Sequence, residues 1–350
     1  MQQRKITKRA PLLNEQGHLT CPGWATDLVY AYDPKAVRAT PIRIKEWDYY
    51  IILSDSGEYA LSLCIADNRY MGLVNAAFLD IHNGKKFDFL VPLLFPMGKL
   101  HLPTDSSKGD VIFKNRFCDF RYILTDGGRH LMCDYQLPFG KNFNCDIFLH
   151  QPKMDTMVIA TPWKEDPKAF YYNQKINCMR AEGYCVFNGQ RYTFSPETDF
   201  GTLDWGRGVW TYDNTWYWGS GNADIDGHAF GFNIGCGFGD TSAASENMLF
   251  YDGKCHKLDR VEFLIPGGDI MQPWKFTETN HRFEMDFMPI FDHRTDISAL
   301  IISQDAHQVF GRLCGTAVLD DGTEIQVQNK LVFAERVHNR YLQIRLVVLY

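Results

Sequence analysis

The sequence lacks the features that would assign it to several large classes. No stretch of 18 apolar residues occurs, so no membrane-spanning helix is expected. There is no Cys-x-x-Cys pair and no His-Glu-x-x-His, which argues against zinc, and the 11 histidines show no ligand spacing. Basic charge is in deficit: 36 Lys and Arg face 42 Asp and Glu, for a net charge of -6. A phosphate backbone needs a basic surface, so no nucleic acid is expected as a partner. Residues 1–10 are basic, but Pro11 and the polar residues 14–16 follow where a signal peptide would turn apolar. The 10 cysteines follow no disulfide framework and read as free thiols of a cytoplasmic protein. The run GFNIGCGFGD (231–240) has no following lysine or helix and fails as a phosphate loop. Ser220 and Ser245 lack a His and an Asp at elbow geometry, so no serine hydrolase is expected. No motif implies a metal or nucleotide cofactor.

Amphipathic helices are also scarce; only residues 165–175 read as a helical turn or two. What is abundant is aromatic. Phe 25, Tyr 17 and Trp 8 make up 14% of the 350 residues, and such residues favour strands and build large apolar cavities. Residues 1–45 are broken by Pro11, Pro22, Pro34 and Pro41. Beyond them, WDYYIILSD (47–55), YALSLCIAD (59–67) and YMGLVNAAFLDI (70–81) read as strands. Hairpin signals recur at Asn83-Gly84, Asp126-Gly127, Asn188-Gly189, Asp226-Gly227, Asp252-Gly253 and Asp321-Gly322. Phe283, Met285 and Phe287 alternate with Glu284 and Asp286, giving one buried and one wet face. The expected fold is all-β: two antiparallel barrels or sandwiches packed against each other, over residues 1–195 and 196–350. A groove between them is a natural ligand site.

The densest segment, ETDFGTLDWGRGVWTYDNTWYWGSGN (197–222), holds Trp205, Trp210, Trp216 and Trp218 beside Asp204 and Arg207. It reads as a hairpin: a strand over 208–212, a turn at Asp213-Asn214 and a strand over 215–220. That pairing sets Val209 and Thr211 on the face of Trp216 and Trp218, with Gly206 and Gly208 able to bulge the first strand. A carboxyl group beside indoles loses hydration, which raises its pKa and makes Asp204 a candidate proton donor. Indole faces also stabilise a cation, at roughly 0.5–2 kcal/mol per contact. A plainer reading stands beside this one, in which Arg207 neutralises Asp204 and fixes a β-bulge.

Two further stretches supply candidates. TSAASENMLFYDG (241–253) reads as a polar loop entering a strand at Asn247, with Glu246 at the junction as the strongest second carboxylate. Asp204 with Glu246 would suit hydration or glycoside hydrolysis; a loop carboxylate capping its own backbone is the alternative. ATPWKEDPKAFYYNQKINC (160–178) combines Tyr172 with Lys175, either as a pocket wall or as an ordinary connection with core aromatics.

The order KEWDYY (45–50), ATPW (160–163), FYYNQK (170–175), DWGRGVW (204–210), WYWGSG (216–221) and ENMLFYDG (246–253) resembles the bacterial family filed as domain of unknown function 2804. That resemblance implies no established activity. More distantly the chain is similar to carotenoid 1,2-hydratase and AttH-like proteins, which implies a two-domain lipocalin-like fold. In the hydratases an Asp of a D-x-x-W-G element is the proposed proton donor to an alkene. Asp204 matches it, and the strand of Trp216 and Trp218 matches the aromatic strand that follows; Arg207-Gly208 departs from the pattern.

These readings converge on a cofactor-free, acid-assisted enzyme of the hydratase, isomerase or cyclase kind. Asp204 and Glu246 would be catalytic, and Arg207, Trp205, Trp210, Trp216, Trp218, Tyr172 and Lys175 would bind a hydrophobic or glycosylated small molecule. The alternatives are a non-catalytic binder of a lipid, terpenoid or polyketide, and a glycosidase with paired carboxylates.

Overall fold

All six Asn-Gly and Asp-Gly pairs fall between consecutive antiparallel strands in the computed structural model, which describes residues 3–137, 141–299 and 302–341. Three of the pairs have both residues at positive φ (Asn188 and Gly189, Asp226 and Gly227, Asp252 and Gly253). This is the turn that matches the twist of two-residue hairpins. The strands expected near residues 47, 59 and 70 are Ile44–Ser54, Tyr59–Asp67 and Met71–Asp80. Phe283, Met285 and Phe287 are buried, with Glu284 and Asp286 on the opposite face.

The described residues form two large curled sheets and no α-helix, which bears out the all-β expectation. In the first sheet, Ile44–Ser54, Phe200–Val209 and Asp166–Phe187 are neighbours at the centre. Its edges are Lys85–Leu94 and Val111–Lys114. The second sheet runs from Lys254–Lys257 through His228–Cys236, Asp213–Ile225, Glu324–Arg340 and Ile302–Val318 to Val261–Leu264. Each curls around its own apolar interior. Ile65, Phe78, Leu131, Ile147 and Leu203 fill the first; Ile234, Trp274, Phe276 and Phe287 fill the second. Trp218, Phe310 and Phe333 of the second sheet pack with the first, so the two sheets meet face to face.

Two local expectations are corrected. Residues 165–175 are not helical: they lie in Asp166–Phe187, a 22-residue strand bonded on both sides. Alternation puts Tyr171, Asn173 and Lys175 on one face and Tyr172 and Gln174 on the other. The tryptophan segment is not a hairpin either. Phe200–Val209 already has partners on both edges, at Ile44–Ser54 and Asp166–Phe187, so it has no free edge for the next strand. The chain crosses at 210–212 and continues as Asp213–Ile225 in the second sheet, paired with Glu324–Arg340 and His228–Cys236. The register of Phe200–Val209 runs without a bulge from Asp204 to Val209. Parity therefore fixes the direction of every side chain in it.

Candidate functional site

Parity divides the predicted residues between two places. Asp204 faces the second sheet. Its cross-strand neighbours on that face are Lys175 and Tyr49, and Gly206 lies between Asn173 and Trp47. Trp205 and Arg207 face the interior of the first sheet, with Tyr172 opposite Arg207. The expected partnership of Arg207 with Asp204 is thus replaced. Arg207 is fully buried and donates to Asp48 Oδ1 at 2.9 Å, and also to the carbonyls of Trp47, Gly206 and Pro103. Its guanidinium lies over the Trp205 ring at 4.3 Å. Tyr172 donates its hydroxyl to the Tyr30 carbonyl.

Between the sheets the structure gathers Asp204, Lys175, Glu246, Trp216 and Trp218. Asp204 Oδ2 is 2.8 Å from Lys175 Nζ, and Oδ1 accepts from Asn173 Nδ2 at 2.6 Å. The lysine is almost wholly buried, and its ammonium sits 3.8 Å from the centroid of Trp218. Trp218 Nε1 donates to Asn233 Oδ1 at 2.7 Å, and Asn233 Nδ2 donates to the Glu246 carbonyl at 2.9 Å. That chain anchors Glu246 at the mouth of Met248–Tyr251, the loop-to-strand junction expected for it.

Glu246 is buried. Oε2 accepts from the Tyr171 hydroxyl at 3.4 Å, whereas Oε1 has no hydrogen-bond partner among the described residues. Burial, with the Asp204 charge adding to it against the pull of Lys175, pushes the Glu246 carboxyl up to about 7. A third carboxyl, Glu335, was missed from the sequence. It accepts from Trp216 Nε1 at 3.1 Å and from Gln308 Nε2 at 3.5 Å. Burial raises it to about 7 as well. A signal for it existed, because Glu335 shares the inward face of its strand with Phe333 and Val337.

Aromatic rings wall the site. Trp47 stacks on Tyr171 at 6.3 Å, Tyr171 on Phe238 at 4.9 Å, and Trp210 lies 5.1 Å from Trp216. Trp210 and Trp218 are buried, while Trp47, Tyr49, Cys64, Trp216 and Glu335 keep partial exposure. Burial nonetheless raises the Tyr49 hydroxyl and the Cys64 thiol. Among the described residues no cluster of His, Cys, Asp and Glu has the arrangement to hold a metal ion.

The fold is similar to that of a solved structure described as an AttH protein from Nitrosomonas europaea. The identity is 13% and the TM-score 0.51, over 89% of this chain and 98% of that one. Kievitone hydratase from Nectria haematococca aligns at 9% identity and a TM-score of 0.48, over 95% of this chain and 98% of that one. The two-part lipocalin-like β fold is the one expected. A comparison of the sequence with curated proteins finds no match. A sequence-family profile matches residues 3–341, a span that includes every motif from KEWDYY to ENMLFYDG: this chain belongs to the family described as Domain of unknown function (DUF2804).

Proposed function

We propose that the protein is a cofactor-free, acid-assisted enzyme acting on a hydrophobic small molecule between the two sheets, with Glu246 as its proton donor. The observation that carries this reading is the state of Glu246. It is a buried carboxyl with one oxygen unpartnered among the described residues, and burial pushes it up to about 7, so that close to neutral pH it can both give and take a proton. A general acid works best when its pKa lies near the working pH. We place the donated proton on Glu246 rather than Asp204, since both oxygens of Asp204 already accept hydrogen bonds.

What supports a cleft here is that Tyr49, Cys64 and Glu335 keep partial exposure although burial raises all three. In this cleft the Glu246 proton adds to an alkene carbon, and the electron pair of the double bond forms the new C–H bond. The cation left behind faces the indoles of Trp47 and Trp216 and the carboxylate of Asp204. Capture by water, with return of the surplus proton to Glu246, gives a hydrate. Loss of a different proton to the Glu246 carboxylate gives an isomer; attack by an internal alkene closes a ring and moves the cation, which then loses a proton to Glu246.

The test is deuterium uptake. A panel of terpenoid and polyketide alkenes is incubated with the protein in D2O and followed by mass spectrometry. The wild type should place deuterium on carbon in at least one of them. Glu246→Gln should slow uptake by about 10²-fold or more while melting as a folded protein. Uptake unchanged in Glu246→Gln would remove the acid from this site.

A further inference from the structure

A second place in the molecule has the makings of a ligand site, independent of Glu246. The concave side of the first sheet is apolar at depth but polar at its mouth, where residues 95–110 run across it as a strap. Arg207 donates to the Pro103 carbonyl of the strap, Asp67 accepts from the Gly98 amide, and Ser106 donates its hydroxyl to Gln174. Beneath the strap is a cavity of about 10 Å³, room for a single water, lined by Asp48, Tyr50, Asp105, Ser106, Tyr122 and Arg129.

Three observations in this cavity point the same way. Arg129 is buried, and among the described residues its guanidinium donates to neutral groups alone, Gln151 Oε1 at 2.7 Å and the Tyr50 hydroxyl at 3.2 Å. Among the described residues it makes no ion pair. A buried cation without a counter-ion is unfavourable, and an incoming anion relieves it. Tyr122 is 4% exposed, and its hydroxyl lacks a hydrogen-bond partner among the described residues. The Tyr50 oxygen accepts from Arg129, which leaves its proton available. Three donors therefore share one small space. The two carboxylates there are already engaged, Asp48 with Arg207 at 2.9 Å and Asp105 with Lys108 at 3.0 Å.

On the outer side of the same strap lies an open groove of about 1090 Å³. Tyr30, Tyr32, His101 and Lys108 line it, and Pro103, Asp105 and Gly109 are common to groove and cavity. The strap is strained: Phe95, Met97 and His101 all hold positive φ, a conformation that L-residues with a Cβ disfavour. A shift of residues 103–109 would join the two spaces.

We infer that this mouth is a second binding site, taking a small organic acid whose carboxylate enters the cavity to meet Arg129, Tyr50 and Tyr122 and whose body lies in the groove. The full chain is melted with benzoate, decanoate, inorganic phosphate or the neutral benzyl alcohol. At least one carboxylate should raise the midpoint in proportion to its concentration, and benzyl alcohol should not. Arg129→Gln should weaken that binding at least tenfold. Tyr122→Phe should weaken it too while leaving the ligand-free midpoint unchanged or higher, because removing an unpartnered buried hydroxyl relieves a penalty. Hydrogen exchange of residues 95–110 should slow when the carboxylate binds. The assignment is overturned if neither carboxylate shifts the midpoint, if phosphate alone does, if Arg129→Gln binds as tightly as wild type, or if exchange of the strap is unaffected by the ligand.

Discussion

Lys175 and Asp204 face each other across two central antiparallel strands, with 2.8 Å between Nζ and Oδ2. The lysine side chain is 1% exposed and the aspartate 12%. Removing one member of such a pair leaves a charge in a poorly solvated place, which typically costs about 3–5 kcal/mol. Lys175→Met should therefore destabilise the protein by an amount in that range, read from urea unfolding. The double variant Lys175→Met/Asp204→Leu should recover part of the loss, since an apolar pair of similar volume is often tolerated. A double variant that simply sums the two single losses would show that the pair is not coupled.

Stability should have a minimum near pH 7. Glu246 and Glu335 are raised from 4.5 to about 7, so between these values the folded protein holds protons that the unfolded chain has lost. Stability then falls as pH rises through that window and levels off above it. For Glu246 alone the rise corresponds to roughly 3 kcal/mol as an upper bound. Lys45 and Lys257 act in the opposite sense. Burial lowers both from 10.5 to about 7, so above pH 7 the unfolded chain binds more protons and stability climbs again. Thermal midpoints measured from pH 4.5 to 10 check the shape. Glu246→Gln should flatten the falling limb, and Lys257→Met the rising one.

Two glycines make room for the site. A Cβ on Gly235 would lie 1.9 Å from Glu246 Oε1, and one on Gly206 would lie 2.0 Å from the Trp47 ring. The carboxyl can swing away, whereas the ring is held between Tyr171 and Trp210. Gly235→Ala should therefore cost only about 1–3 kcal/mol, the usual penalty for overpacking, but should displace the acid and suppress deuterium uptake. Gly206→Ala should be the more destabilising of the two. Equal melting of the two variants would argue against the packing described.

Much of the architecture was legible because it rests on local rules. The Asn-Gly and Asp-Gly turns and the strands at 47, 59 and 70 need only short-range chemistry and period-two alternation. The place of Glu246 at the foot of a strand was legible for the same reason. What escaped was pairing at long range. The tryptophan segment looks like a hairpin because turn residues separate two aromatic runs, yet the first run is a central strand with both edges taken. Parity could be applied only once Ile44–Ser54 was known to be its neighbour. Only then do Asp204 and Arg207 separate onto opposite faces, and only then does Lys175, 29 residues upstream, become the partner of Asp204. Glu335 was missed because its role depends on Trp216 and Gln308, neither of which is near it in sequence.

Arg207 should prove structural, even though it stands three residues from Asp204. Its guanidinium ties together three segments: Asp48 and the Trp47 carbonyl on one strand, its own neighbour Gly206, and Pro103 on the strap. No other side chain supplies so many donors in one plane, so Arg207→Lys leaves several acceptors without a donor. Arg207→Met should lower stability by about 3–5 kcal/mol, because it leaves the buried charge of Asp48 unpaired and frees the carbonyls, and Arg207→Lys should cost less, through the freed carbonyls alone. The strap should loosen as well, with faster hydrogen exchange over residues 95–110. If Arg207 instead contacted the substrate of the Glu246 site, its loss would weaken substrate binding with little change in melting. Measuring both quantities on the same variant decides between a brace for the first sheet and a ligand contact, and the geometry favours the brace, because its side chain points away from Glu246.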